Sequence, residues 1–495
     1  MTETTHKVLN RITRPAPTSD LSRGTAGADP ASTITSPVRR NAVSSAAPTR
    51  AAGRGTAVVI GGGLAGLLAA HVLSEFCNTV VVERDRYPDQ PVPRAGVPQA
   101  HHAHLFLEGG LRALEALLRG IRAELTAAGA VEVVMGADLR WLNAFGYMAT
   151  HDRPTRFMSC TRGLLDHVVR SRVIDEDLVR SGGFAKPSIQ IMQGVDVVGL
   201  LGDSSAVNGV RIRNRDDGTV EDLPAQMVVD ASGRKSKLTE WLKQLGCPPV
   251  AEQRVDAGCA YISRLYHRPP VDLGFRALYL QAAPGQPRTG SILPVEGERW
   301  IVSLGGMRNA QPGRGDEGFD EMLEQMRDPI LRDTLRRAEP ASAARWFAAG
   351  PSVRRKYRGG PDGLVRVGDA ADVVNPVYGQ GMTNAVRGAQ ALGVTVARHH
   401  GIDHAAARAA RKAIAAVTRD AWLMSIGEDA RFPATLGAPS GAMTHMQHWY
   451  LDRVLDKATQ DPHVAAAFTS VMSLTASPTA LFRPTILAPA LLGIG

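Results

Sequence analysis

The chain has 495 residues, of which 44% are hydrophobic and 21% charged, with a formal net charge of +9. That length allows two or three domains around a large core, and the balance is that of a soluble globular body rather than a fibre or a disordered chain. Much of the positive excess falls in the first 55 residues, at Arg11, Arg14, Arg23, Arg39, Arg40, Arg50 and Arg54, so the charge does not mark a nucleic-acid surface.

Residues 1–55 are rich in Ser, Thr, Ala, Pro and Arg with no hydrophobic period, and they read as a disordered tail. Glu3, Asp20 and Asp29 argue against a transit peptide, and the segment has no apolar signal core. No apolar run is long enough to span a bilayer, so stable membrane insertion is not expected. Cys77, Cys160, Cys247 and Cys259 show neither C-x-x-C pairing nor metal-ligand spacing. They read as reduced thiols of a cytoplasmic protein, and no metal site is expected.

The next stretch, Thr56-Ala-Val-Val-Ile-Gly-Gly-Gly-Leu-Ala-Gly66, reads as a buried strand turning into a helix. Gly61, Gly63 and Gly66 occupy G-x-G-x-x-G positions. Gly61 permits the turn, Gly63 lets the backbone approach a pyrophosphate, and Gly66 lets the helix pack closely on the strand. Glu83 ends the second strand, at the spacing of roughly 20 residues expected for a carboxylate that accepts ribose hydroxyls. The unit is a dinucleotide site, and it does not by itself choose NAD over FAD.

A loop punctuated by Pro and Gly, Arg94 to Leu105, leads into an amphipathic helix near Leu111–Leu118. Its His101, His102 and His104 lack acidic or Cys partners at ligand spacing, so they are expected to make hydrogen bonds rather than hold a metal. A helix begins at Arg162, with Leu164, Leu165, Val168 and Val169 on one face. Gln193–Leu201 and Val207–Arg213 read as a strand pair, followed by an apolar strand ending at Asp230 and turning through Gly233. Alternating strands fill 251–350, including Gly258–Tyr266 and a hairpin over Ser291–Leu304 with Gly297 in its turn. The nucleotide-type pattern resumes at Gly363–Asp369 and Pro376–Ala385. The chain after 396 is Ala-rich and helical, and its apolar end, Pro484–Gly495, is expected to pack on the core.

Together the Gly61–Glu83 unit, Asp369 in Val-Gly-Asp-Ala-Ala and the Pro376–Met382 loop resemble the FAD-dependent monooxygenases of the aromatic hydroxylase and squalene epoxidase superfamily. Finer wording resembles the bacterial epoxidases of polyether antibiotic biosynthesis, such as those of the monensin and lasalocid pathways. That wording comprises Arg94-x-Gly-Val-Pro-Gln99, Arg162-x-Leu-Leu, Val229-Asp-Ala-Ser-Gly-Arg234-x-Ser236, Asp256-x-Gly258, Pro294-x-Glu-x-x-Arg-Trp300 and Asn375-Pro-x-Tyr-Gly-x-Gly-Met382.

The resemblance implies an α/β fold: a Rossmann-like FAD-binding domain of the glutathione-reductase type, an inserted antiparallel β-sheet substrate domain and a C-terminal helical region. The corresponding segments are 56–250 and 351–395 for FAD, 251–350 for substrate and 396–495 for the helices. The implied FAD contacts are Gly61, Gly63, Leu64, Ala65, Gly66, Glu83, Arg84, Arg94, Gln99, Arg162, Asp230, Gly233, Asp369, Pro376, Gly379, Gly381 and Met382. Within them Glu83 takes the adenosine ribose, Asp369 the ribityl hydroxyls, and the amides at 379–382 the pyrimidine end of the flavin.

The implied chemistry is O2 addition at flavin C4a to give a hydroperoxide, whose distal oxygen passes to an alkene of a polyene polyketide or terpenoid. It needs an apolar, water-poor pocket and no catalytic acid, base or nucleophile on the protein. Electrons come from NADH or NADPH, directly or through a separate flavin reductase, and Asp230-Ala-Ser-Gly233 stands where aromatic hydroxylases carry an adjacent Asp-Gly pair. Aromatic hydroxylation, prenyl double-bond reduction and a non-catalytic flavin-binding partner are the alternatives. No Trp-x-Trp occurs, which disfavours a halogenase.

Because residues 1–54 have no apolar period to bury, their deletion is expected to leave FAD content and melting temperature unchanged. A fall in soluble yield or melting temperature, read by thermal unfolding of the truncated protein, would show that the segment packs on the body.

Overall fold

The computed structural model describes residues 55–180, 189–357 and 359–492. The tail assigned to the N-terminal segment lies outside the described residues.

The expected strand–turn–helix–strand unit consists of β1 (Thr56–Ile60), α1 (Leu64–Leu73) and β2 (Asn78–Glu83). These join β3 (Ile189–Gln193), β4 (Met227–Asp230) and β5 (Leu364–Arg366) in a parallel sheet of order β5-β4-β1-β2-β3. Side chains alternate across β1 with the period of two that a strand imposes. Ala57 and Val59 enter one apolar layer with Leu68, Val81 and Leu392. Val58 and Ile60 enter the other with Val80, Val210 and Ile212. The first layer is covered by α1 and by α2 (Gly381–His399), which pack closely enough that a Cβ on Gly393 would lie 2.9 Å from Val72 Cβ. The second is covered by a three-stranded antiparallel sheet, Val195–Gly202, Val207–Asn214 and Val220–Pro224.

The strand expected over Gln193–Leu201 is divided between two sheets. Gly194 adopts φ +72°, a left-handed conformation that turns the chain out of β3 and into the antiparallel layer.

A six-stranded sheet carries the strands expected in 251–350: Ala260–His267, Ala277–Leu280, Arg288–Val295, Arg299–Gly306 and Arg345–Ala348. The hairpin pairs Val295 with Arg299, and its Glu296-Gly297-Glu298 turn places Gly297 at φ +74°. The sixth strand, Leu139–Leu142, comes from within the stretch assigned to the first FAD segment and pairs in parallel with Ala277–Leu280. The antiparallel sheet therefore has one parallel edge.

After α2 come helices His404–Val417, Arg419–Asp429, Ala442–Lys457, Pro462–Met472 and Pro484–Leu492. They do not pack as a separate bundle. Tyr450, Leu455, Phe468 and Ile486 share one apolar cluster with Trp141, Phe157 and Leu293 of the sheets. Asn143 Nδ2 donates to Leu455 O at 2.9 Å across that junction. Among the described residues no helix is long and apolar enough to cross a membrane.

Close packing at the first turn gives a test. A Cβ on Gly66 would lie 1.8 Å from Gly61 O, so Gly66→Ala is expected to cost about 1–3 kcal/mol through backbone displacement. Gly285→Ala, at a position open to space, should be neutral in the same urea titration.

Candidate functional site

A cavity of about 1620 Å³ runs from the C-terminal edge of the parallel sheet into the space between the six-stranded sheet and the last helices. At its sheet end Gly61, Gly63, Leu64 and Ala65 line the wall. Gly61 has φ +95°, and a Cβ on Gly63 would meet nothing closer than Arg94 Nη2 at 3.6 Å, so the turn presents bare backbone. The first-turn amides of α1 lack intrahelical acceptors and that turn carries no acid, which suits a pyrophosphate. Gly66 does not line the cavity. Its role is the close helix–strand approach already described.

Glu83 is buried, and its two oxygens take three donors from the protein. Oε2 accepts from Gly62 N at 2.7 Å and Arg94 Nη1 at 3.2 Å, and Oε1 accepts from Asp85 N at 2.9 Å. A carboxylate offers about four acceptor positions, which leaves capacity for a ribose hydroxyl. Burial opposes the charge on Arg94, but Glu83 and Asp166 outweigh it and hold the guanidinium protonated. Tyr87 completes this corner by donating to Gly62 O at 2.8 Å, with Arg94 at 5.2 Å from its ring centroid.

Arg84, Gln99, Arg162 and Gly233 also line the cavity. Arg162 opens its helix as expected and binds Asp166 at 2.7 Å. The start of that helix is fixed by the hairpin: Glu296 accepts from Thr161 N at 3.0 Å and from Thr161 Oγ1 at 2.5 Å. The Pro294-x-Glu segment thus ties the six-stranded sheet to the wall of the cavity.

Asp230, expected as a cofactor contact, does not line the cavity. It is fully buried away from the cavity, and its carboxylate is occupied by Ser232 N at 2.9 Å, Ser232 Oγ at 2.5 Å and Ser236 Oγ at 2.6 Å. Its side chain shapes the 231–236 turn, and that turn places Gly233, at φ +81°, on the cavity.

Across the cavity, Asp369 faces the N-terminus of α2 together with Pro376, Gly379, Gly381 and Met382. A Cβ on Gly381 would meet only Asp369 Oδ1, at 3.9 Å. Asp369 has no hydrogen-bond partner among the described residues. Burial raises its carboxyl above the usual range, against the opposing pull of Arg234, Arg162 and Arg355. A desolvated acceptor beside an open backbone cradle calls for a ligand that brings hydroxyl donors. The residues present therefore fit FAD.

The histidine cluster makes hydrogen bonds. His102 Nδ1 is 2.8 Å from Ser263 Oγ, and His104 Nδ1 is 2.9 Å from His102 O. Burial lowers His102 to about 3 and His104 to about 4, so both rings are neutral. Cys77, Cys160, Cys247 and Cys259 are free.

Sheet order, glycine turn and cradle together define a dinucleotide-binding flavoprotein. The chain belongs to the FAD binding domain family, whose model matches residues 54–401. It is 31% identical over 434 residues to Protein Rv3254 of Mycobacterium tuberculosis, covering 84% of this chain and 89% of that protein. It is 24% identical over 351 residues to the squalene monooxygenase of Mus musculus, covering 67% of this chain and 52% of the mouse protein, about half its length. The structure of the flavin-dependent brominase Bmp2 superposes with a TM-score of 0.63 at 15% identity, covering 88% of this chain and 98% of the brominase, a likeness of fold. The family is one of FAD binding, and the curated relatives matched at about a quarter identity include squalene monooxygenases and digeranylgeranylglycerophospholipid reductases.

Sequence reasoning missed Tyr87 and the distal wall made by Leu423, Tyr450, Leu451, Phe468 and Leu481. Tyr87, four residues after Glu83, gave a local signal that an aromatic packs on the turn. The distal wall gave none, because its residues look like the core face of ordinary helices.

Asp369→Ala is expected to weaken FAD binding by about tenfold to a hundredfold, as loss of a charged hydrogen bond does. Because its carboxyl is raised, wild-type FAD affinity should fall with acidification earlier than an ordinary carboxylate would allow, and Asp369→Asn should flatten that dependence. Both are read by flavin fluorescence on dialysis.

Proposed function

We propose that this protein is an FAD-dependent monooxygenase that inserts one oxygen atom from O2 into an alkene of a polyketide or terpenoid intermediate, forming an epoxide. The observation that carries the reading is continuity. The FAD cradle and an apolar chamber walled by Trp141, Leu293, Phe468 and Leu481 are one cavity. A long hydrophobic substrate can lie in that chamber with one end at the cradle.

When bound and reduced, FAD supplies the activation of O2. The chain's own part is binding, orientation and exclusion of water. Glu83 accepts from the ribose of the adenosine half, and the amides that open α1 face the pyrophosphate. Asp369 accepts from the ribityl hydroxyls, and the amides at 379–382 face the pyrimidine edge at the positive end of α2. The aromatic and aliphatic walls keep water from the reacting centre and fix which double bond reaches it, since misplacement by about 1 Å can cost on the order of 100-fold in rate. No side chain is assigned as acid, base or nucleophile.

NADH or NADPH, used directly or through a separate reductase, supplies the electrons in this reading. The protein works in the cytoplasm.

Turnover of a linear polyene under 18O-labelled O2 in unlabelled water should give one labelled oxygen per modified double bond, in a product that acid opens to a diol. Labelled phenol from an aromatic substrate would replace epoxidation by ring hydroxylation. An unlabelled, saturated product would make the protein a double-bond reductase, and no product from any of these would leave a flavin-binding partner.

A further inference from the structure

A hydrogen-bonded polar set stands in the wall of the chamber, which elsewhere also carries Ser291, Gln447 and His448. Trp141 Nε1 donates to Gln281 Oε1 at 3.0 Å, and Gln281 Nε2 donates to Glu428 Oε1 at 3.3 Å. All three residues line the cavity. An indole N–H only donates, so it fixes the Gln281 amide with its oxygen toward Trp141 and its nitrogen toward Glu428. Glu428 Oε1 therefore accepts. Glu428 Oε2 lies 3.6 Å from Arg431 Nε, beyond hydrogen-bond distance, and keeps its acceptor capacity.

The surroundings make that capacity matter. Burial raises the Glu428 carboxyl, with Arg431 and Gln281 opposing the rise. Trp141 packs edge-on against Tyr279 at 5.4 Å and tilted against Phe468 at 5.6 Å, so aromatic surface flanks the polar set. The set also sits at the FAD end of the chamber. Asp429, next in the chain, accepts from Asn375 Nδ2 and Tyr378 OH, both at 2.8 Å, and these residues flank Pro376 in the loop that leads into α2.

We propose that Glu428, oriented by Gln281, anchors a hydroxyl group on an otherwise apolar substrate, so that the ligand class is a long-chain polyene alcohol rather than a hydrocarbon or a free acid. The inference rests on the reading of the chamber as the substrate site. A hydrocarbon would leave the buried Glu428 oxygen without a donor. A carboxylate brings no donor and would likewise leave that oxygen unsatisfied. The Arg431 guanidinium already supplies the positive charge on the protein side, which favours a neutral donor over an ammonium group.

The test is binding without turnover. The FAD-loaded enzyme is titrated with farnesol, farnesyl methyl ether and farnesoic acid, following the flavin absorption spectrum. Farnesol should bind about tenfold more tightly than the ether, the margin of one hydrogen bond, and the acid should bind most weakly. Glu428→Leu should abolish the preference for alcohol over ether. Glu428→Gln places an N–H where Oε2 stood, from which alcohol and ether both accept, and should bring the two to equal affinity. If alcohol and ether bind alike in the wild type, if neither binds, or if the preference survives in either variant that retains FAD, the anchor is wrong. An alcohol preference with no labelled oxygen in the product would keep the anchor and overturn the reaction, and the reverse pair of results would remove the anchor alone.

Discussion

The carboxylate of Glu83 is the joint on which the nucleotide end of the molecule turns. It stands at the end of β2, reaches across to the amide of Gly62 at 2.7 Å, and holds Arg94 from the following loop at 3.2 Å. The Glu83 and Arg94 side chains are only 7% and 5% exposed. A buried pair of this kind contributes little net stability, but loss of either partner strands a charge and is costly, typically about 3–5 kcal/mol. The pair therefore acts as a registration device. It sets where the glycine turn stands relative to the second strand, and so where the first amides of α1 point.

From that joint the remaining architecture follows as two problems of closure. The parallel sheet must cover both faces, which it does with α1 and α2 on one side and the small antiparallel sheet on the other. The six-stranded sheet must also cover its inner face, and it uses the C-terminal helices only in part. The uncovered remainder is the chamber. Glu296 links the two closures, since the hairpin that belongs to the large sheet caps the helix that begins at Arg162.

Legibility in the sequence followed the range of the contacts. The turn from Ile60 to Gly66 and the acid at Glu83 were readable because glycine geometry and strand length act within a few residues, and the burial of Val58, Val59, Val80 and Val81 follows the pattern of their runs. Asp369 was readable by resemblance of its short motif, and its exposure to the cavity without a partner is what the structure adds. The place of Asp230 was not readable, because a strand ending in an acid before a glycine looks the same whether the acid faces a cavity or bonds two serines of its own turn. Leu139–Leu142 and the distal wall were not readable. Asn143 meets Leu455 across 312 positions of chain, and nothing local to either residue encodes that meeting.

The order of the segments along the chain has a consequence for biogenesis. The cradle is complete once α2 is made, at His399, whereas the distal wall of the chamber belongs to helices that end at Leu492. At about 5–20 residues per second, the roughly 90 residues between those points emerge over about 5–20 s. For that interval the residues that form the cradle are already made, while the distal wall of the chamber is not.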